Sequence, residues 1–411
     1  MVPKGWTSAL VGELCRSIVP GRNKPKRFDG SIPWVTTPEI QGRYIPSSVQ
    51  KNYVDQDSID EANAKIVPSG SVVISCVGEL GLVALNKEPV VLNQQLHAFV
   101  CPDYINNEYL AYWLETKRFY MESVASKTTI PYMNKANCES IPVSYPPLPE
   151  QCKIAQILST WDKAITTTER LLTNRQQQKK ALMQRLLTGK QRFAGFEGEW
   201  KLITIDKAFR VITDYVASGS FAALKANVTV YESEEYAHYV RQTDLAANFK
   251  NKNLKFVDRI SYQYLNKSNL FPDDILFTNI GDLGKVFYMP KLDKPATVAP
   301  NLVVLRTNQN YDSKFIYYLL ASSIGQREID KIKSGTGLPK ISKTDFKTMI
   351  IHLPLLGEQQ KIASVLSAAD AEIATIQNQL DNLKQQKKAL MQQLLTGKRR
   401  AKVDSPALAT Q

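Results

Sequence analysis

The sequence predicts an α+β chain: two similar domains built on mixed or antiparallel sheets, separated by two long helices that form an antiparallel coiled coil. Three observations carry this reading. Residues 150–190 and 358–398 are one segment written twice, 208 positions apart, identical at 25 of 41 positions without a gap. Self-similarity of that extent outranks any local motif. Each copy carries a heptad pattern, and a weaker repetition continues into the segments on either side.

The helices come first. In the first copy Ile154, Leu158, Trp161, Ile165, Thr168, Leu172, Arg175, Lys179, Leu182 and Leu186 alternate in steps of four and three. The second seam, Ile362, Leu366, Ala369, Ile373, Ile376, Leu380, Leu383, Lys387, Leu390 and Leu394, is apolar except at Lys387. Spacing of this kind marks helices that pair along a stripe. Proline-rich approaches at 145–149 and 353–357 precede them, and Gly189 and Gly397 in the LLTG endings suit the left-handed residue that closes a helix. About 40 residues make a rod roughly 60 Å long. Nothing within one helix covers its seam, so the simplest partner for each is the other. The alternative is two independent helices, each lying on its own domain. Apolar residues outside the seam, Ile157, Met183, Leu187, Val365, Met391 and Leu395, suggest surface for protein partners, the alternative being that contacts of the helix ends with the globular halves cover some of it.

The globular segments also repeat. GWTSALVGEL (5–14) parallels EWKLITIDKAF (199–209), WVTTPEI (34–40) parallels YVRQTDL (239–245), and VPSGSVVISCVGELG (67–81) parallels FPDDILFTNIGDLG. Short β-branched runs bounded by Gly, Pro or Asp read as strands: 72–77, 82–85, 97–101, 274–280 and 301–306. One amphipathic helix is expected in each half, over 108–120 and 314–331.

Length and composition set outer limits. A chain of 411 residues exceeds one ordinary core, and 43% apolar residues suffice for two or three. No run of 18 uncharged apolar residues occurs, and the start resembles no signal peptide, so a soluble, cytoplasmic protein without a membrane partner is expected. Five cysteines without a CxxC pair weigh against structural zinc or a disulfide framework. His97, His238 and His352 sit singly in apolar runs and read as core or edge residues, not metal ligands. The net charge of +13 is uneven: residues 1–148 sum to zero, yet 1–27 alone carry +5, chiefly through GRNKPKR at 21–27. A basic loop on a neutral domain points to an anionic partner at one place.

On the strength of EQxKIAxxL and KxALMQxLLTG, present in both copies, the chain resembles the specificity subunits of type I restriction-modification systems over nearly its whole length. The resemblance implies target-recognition domains at 1–148 and 191–355, each reading one half of a bipartite, asymmetric double-stranded DNA target. It also implies that the conserved helices at 149–190 and 356–398 set the gap between half-sites and dock two modification (methyltransferase) subunits, and that restriction subunits join the assembly. The tail, 399–411, is expected to be disordered.

Contacts do not transfer by resemblance, so candidates rest on side-chain chemistry. In the first domain Arg22, Lys24, Lys26 and Arg27 suit phosphates, with Trp34, Thr36, Thr37 and Arg43 nearer base edges. The alternative for 21–27 is a solvated loop. The late loops ASKTTIPYMNK (125–135) and KSGTGLPKISK (333–343) add Lys127, Thr128, Lys333, Ser334, Thr336, Lys340 and Lys343. Arg241, Gln242 and Thr243 align with Thr36, Thr37 and Pro38, where the two halves differ.

One spelling raises the question of catalysis. Pro102, Asp103, Glu115 and Lys117 read as a nuclease-like PD(x11)ExK, but ETK closes a segment whose Tyr109, Leu110, Trp113 and Leu114 form a helical apolar face, and the second half has no counterpart. No adenine-methyltransferase tetrapeptide, S-adenosylmethionine loop or Walker spacing occurs. The chain is therefore expected to be non-catalytic and without cofactors, with S-adenosylmethionine, ATP and magnesium held by partner subunits. Two other readings remain: a self-contained nuclease, and a coiled-coil scaffold that does not bind DNA.

Overall fold

A computed structural model describes residues 3–21, 23–334 and 339–403. The chain divides into two compact units, one comprising residues up to Glu169 together with those from Asn378 onward, the other Arg170–Gln377. The division falls inside both long helices, Leu148–Leu186 and Leu356–Leu394. Each unit thus holds one half of each helix.

In the first unit the strand Leu96–Val100 lies between Arg16–Ile18 and Val72–Ser75, and Val83–Asn86 and Tyr44–Ile45 extend that sheet to five strands. Val72 to Ser75 and Val83 to Asn86 are buried throughout, the pattern of strands covered on both faces. A second sheet is built around Ile32–Val35 and Val90–Leu92, which run parallel with Trp34 opposite Val91. Thr7–Leu10 pairs antiparallel with Pro142–Tyr145.

The second unit repeats this plan. Leu302–Thr307 lies between Phe209–Asp214 and Ile275–Thr278, Ala237–Val240 runs parallel to Ala296–Val298, and Lys201–Thr204 pairs with Ile350–Leu353. Both units contain parallel and antiparallel pairings, as predicted.

One amphipathic helix per half proves to be two. Asn107–Glu115 is followed by Arg118–Val124, and Ser313–Ala321 by Ser323–Lys331. In the second unit the break has a visible cause: Ser322 is extended, its hydroxyl donates to Leu319 O at 2.6 Å, and it accepts from Gly325 N to cap the next helix. A Cβ on Gly325 would lie 2.2 Å from Leu319 O, so only glycine fits that return.

Within each unit the two helix halves run antiparallel. In the first, Lys387 Nζ meets Asp162 at 2.5 Å and Lys384 meets Glu169 at 2.7 Å. In the second, Lys179 meets Asp370 at 2.5 Å and Arg175 meets Glu372 at 2.9 Å. Numbers rise on one helix as they fall on the other. The charged seam positions Arg175, Lys179 and Lys387 therefore face carboxylates across the pair. Leu172, Ile376 and Leu380 are buried, while Trp161, Ile165, Ile373 and Leu383 are half-buried.

The seam ends belong to the domain cores. Ile154 and Leu158 join Tyr109, Tyr112 and Leu394 in one core, with Leu390 packed against it. Leu186, Ile362 and Leu366 join Phe315 and Tyr318 in the other, with Leu182 alongside. This corrects the expected docking set at Leu187 and Leu395, which are fully buried in those cores; Ile157, Met391, Met183 and Val365 are partly buried against them. The chain's own domains account for the apolar character of Leu187 and Leu395, while the other four keep an exposed portion.

The tail is also corrected as far as Val403. Arg400 Nε and Nη2 donate to the Glu150 carboxylate at 2.7 and 2.6 Å, its Nη1 donates to Lys4 O at 2.9 Å, and Ala401 is buried. Arg192 makes the matching fork on Glu358, with Nη1 on Gly198 O. A forked guanidinium on a buried carboxylate is a strong, oriented contact. Residues 404–411 lie outside the described residues. Gly189 and Gly397 have φ of 68° and 67°, the left-handed ends expected for them.

Candidate nucleic-acid interface

In the first domain a shared depression and a run of hydrogen bonds connect three of the predicted segments. Lys24 Nζ lies 5.4 Å from the Phe28 ring centre and 5.5 Å from that of Trp34, so the basic loop is laid over an aromatic pair. Gly21, Asn23, Lys24 and Trp34 border a depression of about 300 Å³ whose far side is Asn93, Gln94 and Gln95. Thr37 Oγ1 donates to Gln95 Oε1 at 3.2 Å. Gln95 O accepts from Cys76 N, Cys76 O accepts from Met133 N, and Gly78 N donates to Pro131 O, so that Val77 lies opposite Tyr132 of the late loop. Lys24, Lys26, Arg27, Lys127 and Thr128 are exposed; Arg27 pairs with Glu61 at 3.5 Å, and Thr128 Oγ1 donates to Ile130 O. Arg22 lies outside the described residues.

Three base-edge candidates have other partners. Arg43 has a side chain only 10% exposed: it stacks 3.6 Å from the Tyr112 ring centre and bridges Glu115 at 2.6 Å and Asp162 at 3.4 Å. It fastens a sheet-edge loop to the first long helix rather than facing solvent. Trp34 is buried and forms the wall of the depression. Thr36 caps the turn 37–39, its N and Oγ1 donating to Glu39 at 2.9 and 2.8 Å.

The second domain places different side chains at matching positions. Arg241, like Arg43, holds structure: its guanidinium forks onto buried Asp244 at 3.0 and 2.7 Å and reaches Asn253 O. Gln242 Nε2 donates to Asp282 Oδ2 at 3.3 Å, and Asp282 also pairs with Lys285. Ile280 bridges to Lys340, and Ser334 and Lys340 exchange two backbone bonds, so the late loop again meets the GDLG turn. Lys333 pairs with Asp330 at 2.5 Å and Lys343 with Asp214 at 2.9 Å, while Thr243, Ser334 and Lys340 are exposed. Thr336 lies outside the described residues.

Two members of the nuclease-like spelling have other partners. The Glu115 carboxylate is held by Arg43, and its acidity is weakened by burial. Lys117 lies 4.4 Å above the Trp113 ring, half-buried, which lowers its basicity. Among the described residues no cluster of His, Cys, Asp and Glu could hold a metal ion.

Sequence reasoning missed Asn93, Gln94 and Gln95, although three consecutive amides between two buried strands were a readable signal. It also missed the paired hubs at Asp162, which accepts from Tyr112 at 2.5 Å, and Asp370, which accepts from Tyr318 at 2.6 Å. Both aspartates are identical between the repeat copies.

Two duplicated α+β domains with diverged polar loops, joined by antiparallel helix pairs, define a bipartite recognition protein. The chain belongs to the type I restriction-modification DNA specificity family, whose pattern matches residues 3–174 and 216–385; its two recognition domains serve DNA targeting. It is 23% identical over 97% of its length to the MjaIX specificity subunit of Methanocaldococcus jannaschii, and 25% identical over 98% to the MjaVIII subunit of that organism, covering 94% of each. The S subunit of M. genitalium shares the fold with a TM-score of 0.61 at 15% identity, across 96% of this chain and 99% of that one. A chain solved in work on complex assembly and conformational transition of the type I R-M system gives 0.57 at 17% identity, over 97% and 100% of the two chains.

Proposed function

We propose that each domain reads one half of a split, asymmetric duplex target, that the antiparallel helices fix the gap between the halves, and that the chain docks two modification subunits and, through them, restriction subunits. The observation that carries the reading is the surface of the first domain, where a basic loop, an aromatic wall and an amide cluster meet. Lysines and arginine supply sequence-independent attraction to phosphates, and amides supply directional contacts to bases. Methylation of adenine, ATP use and cleavage belong to the partners, which bring S-adenosylmethionine, ATP and magnesium. Support comes from Glu115 and Lys117, whose polar ends are occupied by Arg43 and Trp113. The assembly works in the cytoplasm; among the described residues no helix is long and apolar enough to cross a membrane.

Replacing Arg22, Lys24, Lys26 and Arg27 together by alanine should weaken binding of the full chain to every duplex. The dependence of log K on log salt should fall by about 0.9 for each phosphate that is no longer neutralised. Unaltered affinity and slope would make 21–27 a solvated loop. Incubating the purified chain with DNA, magnesium and S-adenosylmethionine should yield neither cleavage nor methylation; either product would establish the self-contained enzyme instead.

A further inference from the structure

Gln95 stands out because the orientation of its amide is set by its neighbours. Gln95 N donates to Asn93 Oδ1 at 3.2 Å, which fixes the Asn93 amide so that its Nδ2 is the donor to Gln95 Oε1, also at 3.2 Å. Thr37 Oγ1 donates to the same Oε1 at 3.2 Å. An amide oxygen has two lone pairs, and both are engaged. The Nε2 group, with two hydrogens, has no bonding partner among the described residues, and the side chain is exposed at the rim of the depression beside Lys24.

We propose that Gln95 is a specificity-determining residue of the first domain, presenting a donor-only amide that reads guanine in the major groove. The proposal rests on the DNA-recognition reading above. A glutamine usually recognises adenine by accepting from N6 while donating to N7. Here the acceptor half of that pair is already taken. Guanine presents two adjacent acceptors, N7 and O6, the one base edge on which both Nε2 hydrogens find partners. Lys24, which lines the same depression, supplies a cation for a neighbouring phosphate.

The second domain does not repeat the device. Asn301 takes the backbone role of Gln95, its carbonyl accepting from Asn279 N as Gln95 O accepts from Cys76 N. Two residues before Asn301 the chain has Ala299, which carries no amide to orient a neighbour. The inference therefore concerns one half-site only.

The test uses the full chain assembled with its modification subunits and a duplex library randomised across both half-sites. With Gln95→Ala, one G·C pair in one half-site should become unspecified, with discrimination falling about tenfold, while the other half-site is unchanged. Gln95→Glu keeps the acceptor for Thr37 and Asn93 but removes the donors, and should turn preference at that position against guanine. An unchanged consensus with both variants, or loss of an A·T pair, overturns the assignment while leaving DNA recognition intact. A wild-type assembly without any sequence preference would instead overturn the underlying reading, and this assignment with it.

Discussion

Arg43 illustrates how one side chain can tie a recognition sheet to a helix. Its guanidinium carbon lies over the Tyr112 ring, 3.6 Å from the centre, and the group bonds to Glu115 and Asp162, while Asp162 also receives Tyr112 Oη and Lys387 Nζ. Removing it by Arg43→Ala leaves the half-buried Glu115 carboxylate without its nearest cation, which costs about 1–2 kcal/mol, below the range for a fully buried pair because the carboxylate keeps access to solvent. Denaturant unfolding should report that destabilisation, while the bases read by the assembled complex stay the same; a changed consensus would return Arg43 to the reading surface. His97 offers a second prediction. Burial lowers its pKa from 6.5 to about 4, and Nε2 lies 3.1 Å from Ser17 Oγ. The unfolded chain then takes up the proton first, so its contribution to stability is complete above pH 6.5 and is lost as pH falls toward 4. His97→Gln should flatten that slope in stability-versus-pH measurements, and an identical slope would rule the group out. Lys24 was legible as a cation in a basic loop, but Arg43 was not legible as buried: a sequence states the charge of an arginine, not which carboxylates the fold brings beside it.

The helices were the most legible elements, because a heptad is a local property of the chain and needs no knowledge of the fold. Their polar seam residues were harder to interpret. Lys179 and Lys387 look like defects in an apolar stripe until the antiparallel pairing sets Asp370 and Asp162 opposite them. Within the second unit, Asp370→Lys should destabilise the pair, and adding Lys179→Asp should recover part of that stability, with a coupling of about 1 kcal/mol in a double-mutant cycle. Additive effects would mean that the pair contributes nothing. Among the apolar residues flanking the seam, those taken up by the domains could not be told from those left for a partner, because burial by the chain's own core and burial by a partner leave the same signature in a sequence. Leu187 and Leu395 are covered from within. The helix breaks near Lys117 and at Ser322 were hidden by an apolar face that continues across both segments of each pair.

At the scale of the molecule, duplication accounts for what the two domains share and divergence for what they do not. Strand order, the parallel pairing of Trp34 with Val91 and of His238 with Ala296, and the forks Arg400–Glu150 and Arg192–Glu358 are common. Thr37–Gln95 and Gln242–Asp282 are not. The framework could be read from aligned segments, whereas the amide cluster needed the sheet to bring residues 37 and 95 together. The central claim is that paired helices set the gap between two independently read half-sites. It is tested most directly by mapping methylated adenines in DNA modified by the assembled complex, with and without one extra heptad inserted at opposing levels of both helices, after 170 and after 377. Seven residues add about 10 Å, or about three base pairs. The account predicts the same bases in both half-sites separated by a longer unspecified gap. An unchanged gap, in a variant that still methylates, would contradict it.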